Sequence, residues 1–125
     1  MATIDVDAGS WKKEILNYDD LVVVDFWHDR CPWCKRLEPI FQEISDEYEG
    51  RVKFAKLNVL ESEENKSIAV KHGLMGTPTM VFFCGGKTLS THTGFMPRDR
   101  LKATIDDMLD KYRECVERTT DINYI

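Results

Sequence analysis

One short stretch, residues 21–36, constrains the fold of this chain more than any other. It reads LVVVDFWHDRCPWCKR, in which a run of β-branched and aromatic residues and a few polar residues precede two cysteines, Cys31 and Cys34. The first run is typical of a buried strand, and apolar residues recur at helical spacing after the cysteines. Pro32 is compatible with the first turn of that helix, where its missing N–H would have no partner. The sequence therefore predicts a strand that leads to two thiols at the start of a helix.

The position of the two thiols gives them a chemical use. Side chains three residues apart on a helix are neighbours, so Cys31 and Cys34 can close a disulfide with little backbone movement. Unpaired N–H groups and the positive end of the helix dipole favour the thiolate of Cys31, and Arg30 and Lys35 add positive charge nearby. A strand that leads into Cys-x-x-Cys at a helix start is typical of a redox-active dithiol.

A structural metal site is the alternative for this cysteine pair. Such a site needs two further ligands. Cys84, Cys115 and the three histidines supply no second Cys-x-x-Cys and no closely spaced histidine pair, so we expect no bound metal. Cys84 lies in an apolar run and is expected to be an inert buried thiol, whereas Cys115 is expected to be a core residue or a minor site of oxidation.

The chain resembles the thioredoxins over residues 4–110. Asp25, Phe26 and Trp27 stand at the family spacing before Cys31, and the segment Gly-Thr-Pro-Thr at 76–79 supplies the later proline element. The resemblance implies a thioredoxin fold of the α/β class, with a central mixed sheet flanked by helices on both faces. The apolar stripe of the last helix continues to Val116, past the usual end of the family, so a thioredoxin-like domain is expected over residues 1–116 and a C-terminal tail over 117–125. The chain departs from the family in having Arg-Cys-Pro-Trp-Cys at 30–34, closer to the Pro-Tyr of glutaredoxins than to the usual Gly-Pro.

The remaining periodicities predict the other elements. Strands are expected over 3–6, 21–27, 52–59, 79–84 and 87–93, and helices over 11–16, 32–48, 66–72 and from residue 97 onward. Because a helix joins the second and third strands, these two should be parallel neighbours. Gly85 and Gly86 predict a tight turn between the last two strands.

Asp25 is a single carboxylate within an apolar strand. Such a placement is costly unless the group is paired or protonated, and burial raises the pKa of a carboxyl group. A raised pKa suits a residue that accepts a proton from Cys34. In thioredoxins the matching aspartate has this role with a lysine assisting, and Lys56 is the matching position here. The alternatives are a carboxylate that reaches solvent at the strand end and a solvated lysine on its strand.

The resemblance also implies a substrate-binding surface. Pro78 would be the cis proline beside the dithiol, and the backbone of Thr77 would pair with an extended substrate; a simple turn proline is the alternative. Trp33 would be an apolar docking residue, unless it folds back onto the domain. The groove would be completed by Phe95 or Met96. The expected substrate-binding residues are Pro32, Trp33, Met75, Gly76, Thr77 and Pro78.

Composition narrows the choice of partners. The chain has 17 basic and 22 acidic residues, a net charge of −5, which argues against nucleic acid or an anionic membrane as the main partner. The first residues lack the basic and apolar regions of a signal peptide, and no segment has the apolar length of a membrane span. We therefore expect a cytoplasmic monomer without a cofactor. Its expected partners are client proteins with disulfides and a thioredoxin reductase or another dithiol donor.

Three functions are compatible with these features. The first is a protein-disulfide reductase in which Cys31 attacks and Cys34 resolves. The second is a glutaredoxin-like enzyme that uses glutathione. The additional N-terminal strand and helix argue against this function. The third is a non-catalytic module that binds a partner in the groove around Trp33 and Pro78.

Overall fold

The computed structural model describes residues 2–124, with side chains for all of these except Tyr112 and 114–124. Five strands form one sheet, and helices cover both of its faces. The strands are β1 (Thr3–Val6), β2 (Leu21–Trp27), β3 (Lys53–Asn58), β4 (Thr79–Cys84) and β5 (Lys87–Thr93). The helices are α1 (Ala8–Trp11), α2 (Pro32–Glu47), α3 (Glu63–Lys71) and α4 (Arg98–Tyr124), and Lys12–Leu16 forms a π-helical turn directly after α1.

The strand order in the sheet is β1-β3-β2-β4-β5. Strands β1, β3 and β2 run parallel, and β4 is antiparallel to both β2 and β5. The predicted parallel pairing of β2 with β3 and the predicted mixed sheet are therefore confirmed. This topology brings the end of β2, the start of β4 and the end of β5 to one edge of the sheet, where the segments that follow or precede these strands meet.

Alternate residues of the central strands build two separate cores, because successive side chains of a strand point to opposite faces. On one face, β2, β3 and β4 pack against α2 and α4 through Val23, Phe54, Phe82, Leu37, Phe41, Leu101 and Ile105. On the other face, they pack against the N-terminal helical segment and α3 through Val24, Ala55, Val81, Trp11, Ile15 and Ala69. Helix α2 is therefore fixed to the sheet over most of its length, which holds its first turn in place.

Local capping explains where the short helices begin. Asp7 and Ser10 form a reciprocal capping box at α1. Helix α3 begins at Glu63, three residues before the predicted start at residue 66, because Ser62 accepts the N–H of Asn65 and two acidic residues occupy its first turn. Helix α4 continues to Tyr124, beyond the predicted domain end at residue 116, and that boundary stays a prediction. Within residues 2–124, no helix has both the length and the apolar character that crossing a membrane requires.

Candidate active site

Cys31 and Cys34 form a disulfide at the first turn of α2. Their Cα atoms are 5.2 Å apart. Cys31 is the N-cap residue of the helix, with an extended backbone, and its Sγ accepts the N–H of Cys34 at 3.1 Å. An N-cap position favours negative charge, since free N–H groups and the positive end of the helix dipole point toward it. The structure therefore places the Cys31 sulfur where a thiolate would be stabilised.

The residues on either side of the dithiol include polar and charged side chains. Arg30 and Lys35 flank the cysteines and are exposed. The Nδ1 atom of His28 accepts the backbone N–H of Arg30 at 3.1 Å. Cys31 has 6% of its surface exposed and Cys34 has 3%. Among the described residues, no group of three or more His, Cys, Asp and Glu side chains is arranged to hold a metal ion.

Asp25 is buried on the face of the sheet that α2 covers. Only 1% of its surface is exposed, so the alternative of a carboxylate that reaches solvent is wrong. Neither of its carboxyl oxygens has a hydrogen-bond partner among the described residues. Burial raises the pKa of Asp25 from 3.8 to about 7, with Lys56 acting to lower it and Glu38 to raise it. A carboxyl group in this state can exchange a proton near neutral pH.

Lys56 is the neighbour of Asp25 on β3, where the two residues are partners in register. It is 8% exposed, so the alternative of a solvated lysine is wrong. Its Nζ forms an ion pair of 2.5 Å with Oε2 of Glu38 on α2 and lies 4.7 Å from the ring centroid of Trp27. The ammonium group is therefore held beside the buried carboxyl group by two other side chains.

The proline segment lies at the same edge of the sheet, directly before β4. The Thr77–Pro78 peptide bond is cis, as the resemblance implied. The hydroxyl group of Thr79 donates to the carbonyl of Gly76 at 2.6 Å, and the N–H of Gly94 donates to the carbonyl of Pro78 at 2.8 Å. Pro78 is buried, whereas Gly76 is exposed and Met75 is 92% exposed.

Trp33 and Phe95 form an aromatic ridge beside the dithiol. Their ring centroids are 5.5 Å apart, and the guanidinium carbon of Arg36 lies 5.0 Å from the Trp33 centroid. Trp33 remains 53% exposed, so it does not fold back into the core. Of the two residues considered for this surface, Phe95 is the one in contact, because Met96 is buried in the core between the sheet and α2.

Glu38 is the neighbour of this site that the sequence analysis did not identify. It lies four residues after Cys34 on α2, so the two side chains lie on the same side of the helix. That spacing is the sequence signal that could have indicated it. Its contact with Lys56, however, depends on how α2 packs across β3, which the sequence pattern does not specify.

The other cysteines require a correction. Cys84 is 1% exposed, as expected of a residue in an apolar strand. It is disulfide-bonded, however, so the expectation of an inert buried thiol is wrong in that the sulfur is not a thiol. The side chain of Cys115 lies outside the described residues.

Comparison with known proteins agrees with the fold and with the dithiol. The family model described as Thioredoxin matches residues 2–107. The chain is 36% identical over 108 residues to a thioredoxin of Synechocystis, covering 86% of this chain and 98% of that relative. It is 38% identical over 103 residues to a thioredoxin of Allochromatium vinosum, covering 82% of this chain and 94% of that relative.

A mixed α/β sheet with a Cys-x-x-Cys disulfide at the start of a helix defines a thiol-disulfide oxidoreductase. The chain belongs to the thioredoxin family. Membership of this family implies protein-disulfide reductase activity, substrates that contain disulfides, and a reductase as electron donor.

Proposed function

We propose that the protein reduces disulfides of client proteins, with Cys31 as the nucleophile and Cys34 as the resolving cysteine. The Cys31 thiolate attacks one sulfur of the substrate disulfide, the substrate S–S bond breaks, and the departing sulfur takes a proton. Cys34 then attacks Cys31 in the mixed disulfide and releases the second substrate thiol. The substrate gains two electrons and two protons, and the protein is left with the Cys31–Cys34 disulfide. The N-cap position of Cys31 is the observation that carries this assignment.

In this proposal Asp25 is the base for the second step. Cys34 must lose its proton before it can attack, and it is buried with 3% exposure, which limits access of solvent bases. A buried carboxyl group with a pKa of about 7 is close enough in acidity to a thiol to accept that proton. Lys56 assists from a distance, because its positive charge moderates the raised pKa of Asp25 without a hydrogen bond to it.

The substrate would bind across the edge of the sheet that carries the dithiol. The exposed ring of Trp33 and the exposed side chain of Met75 supply apolar contact area. Pro32 and Gly76 are exposed beside them, and the backbone of Thr77 would pair with an extended segment of the client. Pro78 would shape the segment that presents Thr77.

The proposal extends to the electron donor, the oligomeric state and the location of the protein. A thioredoxin reductase or another dithiol donor would return the disulfide to the dithiol, and the protein would act as a monomer in the cytoplasm. The presence of β1 and α1 before β2 favours this thioredoxin-type cycle over a glutaredoxin-type one. We expect neither nucleic acid nor a membrane surface as a partner because the chain carries a net charge of −5.

Insulin reduction tests this proposal. The protein should catalyse precipitation of insulin when dithiothreitol or a thioredoxin reductase supplies electrons. Cys31→Ser should abolish catalysis, whereas Cys34→Ser should retain attack and accumulate mixed disulfides through Cys31, visible by non-reducing electrophoresis and mass spectrometry. Clients trapped on Cys34 in the Cys31→Ser variant would reverse the two roles. Activity with glutathione and glutathione reductase alone would support the glutaredoxin-type cycle, and a lack of any catalysis would support a binding module.

A further inference from the structure

A chain of polar side chains crosses the face of the sheet that carries Asp25. Lys56 pairs with Oε2 of Glu38. Oε1 of Glu38 accepts a hydrogen bond from Nε2 of Gln42 at 2.8 Å, and Oε1 of Gln42 accepts one from the hydroxyl group of Thr3 at 2.9 Å. Both carboxylate oxygens of Glu38 are therefore engaged, which fixes the orientation of its side chain.

This arrangement leaves the ammonium group of Lys56 on Glu38 and not on Asp25. Asp25 and Lys56 are partners in register and share one face of the sheet, yet both oxygens of Asp25 lack a hydrogen-bond partner among the described residues. Lys56 is also drawn toward the ring of Trp27. If the ammonium group of Lys56 paired with the buried carboxyl group of Asp25, it would strongly favour the charged form of that carboxyl group.

We propose that Glu38 is a positioning residue, which holds Lys56 off Asp25 so that this carboxyl group stays free to accept the proton of Cys34. The inference rests on the proposed role of Asp25 as the base. The directions of the two charge effects agree with it, since Lys56 lowers the pKa of Asp25 and Glu38 raises it. Glu38 acts through Lys56, so its removal changes how Asp25 titrates without removing a group from the reaction.

Few other titratable groups face Asp25. On β1, Asp5 lies in register with Lys56 but is exposed, and it lines a polar cleft of about 270 Å³ together with Lys56. On the other side, Met80 of β4 separates Asp25 from His92 of β5. From α2, Glu38 reaches this region through its ion pair with Lys56 and acts on the pKa of Asp25. Glu38 is therefore the carboxylate that forms an ion pair with Lys56 among the described residues.

Titration of the Asp25 carboxyl carbon by nuclear magnetic resonance in the oxidised protein tests the proposal. Glu38→Gln should lower the pKa of Asp25 by about one pH unit, because Lys56 is then free to pair with it. Glu43→Gln is the matched control, since Glu43 lies on the same helix but pairs with Arg98, and it should leave the Asp25 titration unchanged.

A double-mutant cycle separates positioning from a direct charge effect. In a Lys56→Gln background, Glu38→Gln should shift the titration of Asp25 much less than in the wild-type background. An equal shift in both backgrounds, or no shift in either, overturns the proposal. If Glu38→Gln does not fold, Gln42→Ala keeps every charge and loosens Glu38, so it should shift the titration in the same direction; an unchanged titration there also overturns the proposal.

Single-turnover kinetics distinguish failure of this inference from failure of the proposed function. The rate of mixed-disulfide resolution is measured against pH for the wild type, Glu38→Gln and Asp25→Asn. The midpoint for Glu38→Gln should move to lower pH along with the Asp25 titration. If Asp25→Asn resolves as fast as the wild type, Asp25 is not the base, whatever Glu38 does. If Asp25→Asn is slow but Glu38→Gln keeps the wild-type profile, the inference about Glu38 alone fails.

Discussion

Asp25 lies where a charged group is most costly, and its effect on stability follows from its titration. The pKa rises from 3.8 to about 7 on folding because the carboxyl group is buried. A carboxyl group whose pKa is raised by folding stabilises the folded protein fully when the pH is below its pKa in the unfolded state. This stabilisation is lost as the pH rises through its pKa in the folded state. The oxidised wild-type protein should therefore lose roughly 4 kcal/mol relative to Asp25→Asn between pH 4 and pH 8. Chemical denaturation at a series of pH values measures this difference.

The comparison uses the change with pH and not the absolute stability, because the buried amide of the variant adds a constant cost of its own. A difference for Asp25→Asn that stays flat would mean that the carboxyl group does not change its proton affinity on folding.

The turn of the β4–β5 hairpin is constrained both by its own backbone conformation and by a neighbouring segment. Gly85 and Gly86 both have positive φ, at 58° and 79°, as the predicted tight turn requires. A Cβ at Gly86 would lie 2.6 Å from the carbonyl oxygen of Leu16, at the end of the π-helical turn, whereas a Cβ at Gly85 would meet nothing within 4 Å. The backbone conformation of the turn therefore constrains both glycines, and the contact with Leu16 constrains Gly86 alone.

These two glycines provide a matched pair of substitutions. Gly85→Ala should cost about 1 to 2 kcal/mol for the left-handed backbone alone. Gly86→Ala should cost roughly 3 kcal/mol or more, because the rigid backbone of Leu16 must also move. Both variants should keep the reductase activity of the wild type at low temperature, since this turn lies at the opposite edge of the sheet from Cys31. If thermal denaturation showed equal losses of stability in the two variants, the contact with Leu16 would add no cost to Gly86→Ala.

At the scale of the whole molecule, sequence patterns predicted the parts whose cause is local. The strands beside the dithiol follow from continuous runs of β-branched and aromatic residues, and the Gly-Gly turn follows from turn chemistry. The Cys-x-x-Cys pattern likewise predicted Cys31 at a helix start. Helix α3 was predicted to begin three residues late because its first turn is polar, and only the cap at Ser62 marks it. Glu38 was missed because its importance comes from packing of α2 across β3. The contact of Glu38 with Lys56 depends on two distant segments meeting in space, and the local pattern of neither segment specifies it.

The distribution of charge over the molecule leads to a last prediction. The chain carries a net charge of −5, yet the exposed Arg30, Lys35 and Arg36 around the dithiol outnumber the exposed Asp29 beside them. Two opposite charges about 8 Å apart in water attract by roughly 0.5 kcal/mol, and salt screens the more distant negative charges over about the same length. A substrate in contact with the site should therefore respond to the local positive charge more than to the net negative charge.

Disulfide peptides of equal length that differ only in flanking charges test this balance. A peptide flanked by aspartates should be reduced several-fold faster than one flanked by lysines at low salt, and the ratio should approach one in about 0.5 M salt because screening removes the attraction. Lys35→Gln should reduce the low-salt ratio by about twofold or more. Lys111→Gln changes the net charge equally but lies on α4, where Lys111 pairs with Asp107, and it should leave the ratio unchanged. If both variants lowered the ratio equally, the net charge and not the cations around Cys31 would govern which clients react.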